Sequence, residues 1–196
     1  MIDWHRDQIM NSAQMSIESH RLISASFVES PNQSARPAEA LISLLVIHNI
    51  SLPPGKFGGD SITQLFCNTL NCSAHPYFRT LEGLRVSAHV LIRRDGDIMQ
   101  FVPFDRKAWH AGKSSFQGIE NCNDFSIGVE LEGTDHDPFT DSQYAALTEV
   151  TRDLLVAYPD LTEARIVGHS DVAPGRKSDP GPCFDWRRYR RSLRSR

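Results

Sequence analysis

The segment LISLLVIH, residues 41–48, is an apolar run of strand length that closes on a histidine. Such a run, without polar alternation, reads as a strand buried on both faces, and a strand of that kind demands a sheet covered by other layers. FSIGVELEG (125–133) reads as a second strand and ARIVGH (164–169) as a short third one, again ending in histidine. VSAHVLIRRDGDIMQFVP has the form of a hairpin, with strands near 86–93 and 97–102 joined across Asp95-Gly96. A short helix is expected from Ser61 to about Leu70. A longer one should run from about Asp141 to Tyr158, opened by a Thr140/Gln143 capping box and stopped by Pro159. Asp185 is placed to cap a final helix, and the stretches 51–60 and 171–182, dense in Pro and Gly, are loops. Strands and helices mix without strict βαβ alternation. This predicts an α/β single domain, a mixed central β-sheet flanked by helices. Residues 1–40 read as an N-terminal extension, a short helix followed by the loop-like SPNQSARPAE, and 41–196 as the functional domain.

A chain of 196 residues can bury one core without covalent staples. Its four cysteines, Cys67, Cys72, Cys122 and Cys183, form no C-x-x-C pair, so neither a zinc ribbon nor a thioredoxin-like site is indicated. All four read as reduced thiols. The formal net charge of −3 argues against a dedicated nucleic-acid binder, and the six arginines between Arg187 and Arg196 read as a solvated helix face. No window approaches the ~18 apolar residues of a membrane span. The first twenty residues hold no apolar run of signal-peptide length. The expectation is a cytoplasmic monomer with neither a nucleic-acid nor a membrane partner.

Two features carry chemistry. His48 and His169 each end a predicted buried strand, where a side chain projects from a rigid support into a mouth of loops. Lys177-Ser178-Asp179 follows His169 in a Pro/Gly-rich loop. Two imidazoles and one carboxylate form a known catalytic zinc set, with the fourth position left for water. Any one of the eight histidines taken singly is better explained as structural. Other constellations fail: there is no H-E-x-x-H and no G-x-S-x-G. Gly112-Lys113-Ser114 has the ending of a phosphate-binding loop, but Lys107 stands where that loop needs glycine. Cys183 has no local pattern that would make it a nucleophile. Trp109, His110 and His75 read as structural residues, with a place in the cleft wall open to them. Within VELEG, strand alternation puts Glu130 and Glu132 on one face, so spacing does not choose between them as an acid–base group.

LLVIHNISLPPGKFGG, HPYF, LRVSAHVLIRRDG, VPFDRKAWHAG, CNDFSIGVELEGTD and GHSDVAPGRKSDPGPCFDW together resemble the AmpD-type N-acetylmuramoyl-L-alanine amidases. These are cytoplasmic 1,6-anhydro-muropeptide amidases of the peptidoglycan-recognition and phage-lysozyme amidase fold, and the likeness runs from about residue 30 to Trp186. It implies hydrolysis of the amide between the lactyl group of (1,6-anhydro-)N-acetylmuramic acid and L-alanine in small muropeptides, in cell-wall recycling. It makes His48, His169 and Asp179 the ligands of Zn2+, with a zinc-bound water as nucleophile. It selects Glu130 as general base and acid, Lys177 as oxyanion stabiliser, and Asn49 and Arg85 as substrate contacts. Phage-lysozyme-like relatives carry a tyrosine before the histidine of the second strand, whereas this chain has Ala88-His89, which leaves acid–base work to Glu130. The rival readings are an endolysin or autolysin attacking intact wall, and a non-catalytic peptidoglycan receptor, which would lack a zinc ligand.

Overall fold

The structure, a computed structural model, describes residues 16–195. Its chain opens with two short paired strands, β1 (Ile17–Glu18) and β2 (Arg21–Leu22), then β3 (Ser26–Phe27) and β4 (Gln33–Ala35). The central apolar run becomes β5 (Leu44–Ile50), followed by the short helices α1 (Ser61–Phe66) and α2 (Pro76–Arg79). The hairpin strands are β6 (Val90–Ile92) and β7 (Ile98–Gln100), and β8 (Arg106–Ala108) pairs back onto β4. A small hairpin, β9 (Ser115–Phe116) and β10 (Ile119–Glu120), precedes β11 (Ser126–Glu132). Helix α3 (Asp141–Ala157), strand β12 (Ile166–Gly168), the single turn α4 (His169–Val172) and helix α5 (Trp186–Arg194) complete the fold.

Six strands form the main sheet in the order β12-β5-β11-β6-β7-β3. β12, β5, β11 and β6 run parallel, while β6 and β7 are antiparallel, so the sheet is mixed as the sequence predicts. β5 sits inside it, and Leu44, Leu45, Val46 and Ile47 are fully buried. Each such side chain contributes about 1.5–3 kcal/mol by leaving water. Alternation divides the strands between two faces. Leu45, Ile47, Ile127, Val129 and Leu131 pack with Leu147, Val150 and Leu154 of α3 and Tyr189 of α5. Leu44 and Val46, on the opposite side, join Ala111, Cys122 and Val172.

Several expectations shift by a few residues for visible reasons. Helix α3 begins in the capping box: Thr140 Oγ1 accepts from the Gln143 amide at 3.1 Å, and the Gln143 side chain accepts from the Thr140 amide at 3.1 Å. Asp185 caps α5 by accepting from the Arg188 amide at 2.9 Å. The expected strand 86–93 shortens to 90–92: the Ser87 amide turns away to the Trp109 carbonyl, while His89 still accepts from the Phe101 amide across the hairpin and donates to Gly128 of β11. His169 does not end a strand: β12 stops at Gly168, and His169 opens α4.

The boundary drawn at residue 41 does not coincide with the packing. β3 pairs with β7 at the sheet edge, and Ile17 and Leu22 lie buried in the same core as Ile47 and Val129. Arg36 donates to the carbonyls of Phe104, Asn123, Asp124 and Ser126, which ties the segment to the start of β11. The loop-like SPNQSARPAE contains β4. The short helix expected ahead of SPNQSARPAE does not form between 16 and 29, where strands and turns stand instead, and residues 1–15 lie outside the described residues. The four cysteines are free thiols. No helix of the described residues is long and apolar enough to cross a membrane.

Candidate active site and metal centre

Three adjacent parallel strands deliver the reactive groups to one edge of the sheet. His48 lies near the C-terminal end of β5, Glu130 faces it in register on β11, and His169 directly follows β12. The loop after α4 returns along this edge, where the Ser170 amide donates to the Asp179 carbonyl at 3.0 Å. The approach is close, because a Cβ on Gly168 would meet Pro180 Cδ at 2.8 Å. Asp179 Oδ2 thereby comes within 3.0 Å of both His48 Nδ1 and His169 Nδ1, which are themselves 2.9 Å apart. The sequence-derived metal set, His48, His169 and Asp179, is thus brought together, its donor atoms all within 4.8 Å of one another.

The protonation of this cluster suits a cation. Burial lowers the His48 pKa to about 4, which leaves the imidazole neutral with a lone pair to give. Burial pushes the Asp179 carboxyl up, but the adjacent imidazoles of His169 and His48 outweigh it and hold the group below the usual carboxylate range. His169 Nε2 lies 3.0 Å from the Ala111 carbonyl, which only accepts, so a ring proton placed there would leave the Nδ1 lone pair for a cation beside Asp179. Convergent lone pairs repel unless a cation lies among them, and two nitrogens with one carboxylate oxygen match the donor chemistry of a catalytic zinc site.

Glu130 and Glu132 occupy different surroundings. Glu132 accepts from the amides of Gly58 at 2.6 Å and Arg94 at 3.2 Å, and Arg93 lies 3.8 Å away. Glu130 Oε2 is, among the described residues, the buried side-chain polar atom with no hydrogen-bond partner. Its pKa is raised well above the ordinary value, first by burial and then by the nearby Asp179 charge, against an opposing contribution from Lys177. Glu130, Lys177 and Asn49 line a cleft of about 570 Å³ with the three donor residues. Asn49 donates to Asp135 at 2.7 Å, which fixes its amide. Arg85 is exposed between Leu84 and Val86; those neighbours line the cleft, and Arg85 is not among the lining residues.

Sequence reasoning kept Trp109 and His110 out of the site while leaving a place in the cleft wall open to them, and did not mark Asp135 or His136. His110 and Trp109 line the cleft, and His110 Nδ1 lies 2.9 Å from His48 Nε2. The signal was in β11: the face bearing Glu130 reads Ser126, Gly128, Glu130, and a Cβ on Gly128 would fall 2.5 Å from the His110 ring. Asp135 and His136 also line the cleft, on the loop that leaves β11. His75 serves elsewhere, its Nδ1 accepting from the Tyr77 amide at the start of α2.

Comparison with known proteins agrees with this architecture. The N-acetylmuramoyl-L-alanine amidase family model matches residues 37–182. The 1,6-anhydro-N-acetylmuramyl-L-alanine amidase AmpD of Escherichia coli K12 is 56% identical over 176 residues, covering 90% of this chain and 96% of that protein. A crystal structure of an AmpD derivative superposes with a TM-score of 0.88 at 55% identity, over 90% of this chain and 98% of that one. The Escherichia coli amidase AmiD, in complex with the substrate anhydro-N-acetylmuramic acid-L-Ala-D-gamma-Glu-L-Lys, superposes at 0.59 with 29% identity, over 80% of this chain and 60% of that one. With its mixed sheet and its cluster of two histidines and an aspartate, the chain belongs to the N-acetylmuramoyl-L-alanine amidase family, on the AmpD-type branch.

Proposed function

We propose that this amidase cleaves the bond between the lactyl group of 1,6-anhydro-N-acetylmuramic acid and L-alanine in small muropeptides, as a zinc-dependent cytoplasmic monomer of cell-wall recycling. The observation that carries the reading is the unpartnered, buried Oε2 of Glu130 in the same cleft as three convergent donor atoms. The AmpD relatives, 51–57% identical, support the substrate class.

His48, His169 and Asp179 would hold the zinc and leave a fourth position open. Zinc bound there supplies Lewis acidity, polarising the scissile carbonyl and easing proton loss from the attacking water. Glu130 takes that proton and returns it to the leaving amine of L-alanine, and burial brings its proton affinity closer to the working pH. Lys177, exposed at the cleft wall, sets its ammonium against the oxygen on which negative charge builds. Asn49, oriented by Asp135, contacts the muropeptide from the floor of the cleft, and Arg85 does so from the rim.

The deciding experiment compares kcat/KM on anhydro and ordinary reducing muropeptides with the same stem, alongside the metal content of the active protein. About one zinc per chain and at least ~10-fold preference for the anhydro sugar are expected, since a polar site discriminates by leaving its own groups unpaired against the wrong ligand. Equal values, or rapid digestion of intact sacculi, would move the assignment to a wall-lytic amidase.

A further inference from the structure

His48 turns Nδ1 toward Asp179 and His169, and its other ring nitrogen, Nε2, lies 2.9 Å from Nδ1 of His110. His110 Nε2 lies in turn 3.0 Å from Ser126 Oγ. We propose that His110 is the positioning residue of the metal ligand His48, a neutral imidazole accepting the His48 Nε2 proton at Nδ1 while giving its own Nε2 proton to Ser126 Oγ. This role rests on reading His48 as a zinc ligand.

The argument is one of counting protons. A neutral imidazole has one N–H, and a ligand that offers the Nδ1 lone pair must carry that proton on Nε2. His48 is almost completely buried, so the proton needs an acceptor within the protein. Among the described residues, His110 Nδ1 is the polar atom within hydrogen-bonding distance of His48 Nε2. An accepting Nδ1 forces the His110 proton onto Nε2, where the fully buried hydroxyl of Ser126 receives it. The tautomers of both rings are therefore set from the metal end of this chain of hydrogen bonds, and Ser126, able to accept, completes it.

The place of the His110 ring is built into the fold. A Cβ on Gly128 would lie 2.5 Å from its Cγ and Nδ1, so β11 carries a glycine where the ring rests. The amides of His110 and Ala111 both donate to Asn123 Oδ1, at 3.2 and 2.8 Å, which fixes the backbone beneath it. The two zinc histidines are thus oriented differently: His169 by the Ala111 carbonyl, His48 by an imidazole. An imidazole acceptor orients the ligand without adding a negative charge, so the site keeps the net positive charge that two imidazoles and one carboxylate leave on a divalent ion.

Zinc affinity, measured by competition with a chelator, tests this without reference to turnover. His110→Phe keeps a ring and loses the acceptor, and should bind zinc roughly 10–100-fold more weakly. Ser126→Ala should weaken binding as well, and the double variant no further than His110→Phe alone, because both act through one chain of bonds. His110→Asn returns an acceptor close to the place of Nδ1 and should recover most of the loss. Nitrogen-15 NMR of zinc-loaded protein should place the His110 proton on Nε2. Unchanged affinity in His110→Phe, or a His110 proton on Nδ1, overturns the role. If His110→Phe does not fold, Ser126→Ala decides, and wild-type affinity there overturns it equally. Wild-type protein that takes up no zinc overturns the metal reading and this role together, whereas binding that is indifferent to His110 removes only the latter.

Discussion

Glu130 and Glu132 sit two residues apart on one face of β11, and strand periodicity treats them alike. The structure separates them by their partners. Glu132 spends its oxygens on the Gly58 and Arg94 amides and pins the 51–60 loop, while Glu130 keeps one buried oxygen free. Glu130→Gln should therefore retain zinc and lose at least ~10²-fold in kcat, since the amide cannot act as a base. Glu132→Gln should leave kcat near normal and lower the melting temperature. Steady-state rates and thermal melts of the two variants check this, and a dead Glu132→Gln beside an active Glu130→Gln would reverse the assignment. Lys177→Met should keep the metal and lose ~10²–10³-fold in kcat through weaker oxyanion stabilisation. His48, His169 and Asp179 stood out because two predicted strands run into histidine with a carboxylate in the loop after the second, and the family likeness then named them as the metal ligands. Arg85 came from family likeness alone, and the structure puts it outside the cleft lining. His110 was read as structural, with only a place in the cleft wall open to it, because its contact with His48 depends on the missing side chain of Gly128, an absence that spacing rules do not weigh.

Elements with strong local signals were readable, and those made by distant pairing were not. β5, β11 and α3 have apolar periodicity or a capping box written into consecutive residues. β3, β4 and β8 are two or three residues long and exist because a partner lies far along the chain, Phe27 beside Gln100 and Ser34 beside Lys107. A segment of that length carries no periodicity to detect. α3 offers a test at this scale. Thr140 Oγ1 accepts from the Gln143 amide and also donates to the Arg94 carbonyl at 2.7 Å, joining the helix start to the β6–β7 turn. Thr140→Ala should cost about 1 kcal/mol, or ~2–4 °C in melting temperature for a domain of this size. Activity at room temperature should be unchanged. A loss of activity without a loss of stability would tie the turn to the cleft instead.

At the scale of the molecule, burial favours the neutral form of three imidazoles among the described residues. Burial takes His48 from an ordinary 6.5 to about 4, and holds His89 and His110 well below their usual value. In the unfolded chain the same groups take up protons near 6.5, so between there and about 4 the unfolded state binds more of them. Their contribution to stability is complete above that range and is lost as the pH falls through it. The melting temperature of metal-free protein should drop progressively from about pH 7 to pH 4.5. A flat profile over that range would show that these rings are not held neutral. The order β12-β5-β11 has a consequence of a different kind. His48 and Glu130 ride on neighbouring parallel strands and His169 directly follows the third, so the gap between the proposed ligand His48 and the proposed base Glu130 is a lattice constant of the sheet, about 4.8 Å per strand, fixed by backbone pairing. The 51–60 loop and the loop that leaves β11 hang from this ruler without setting its divisions. Drift in those loops can retune which sugar or peptide is held while the reach of the proton-transferring carboxylate stays the same.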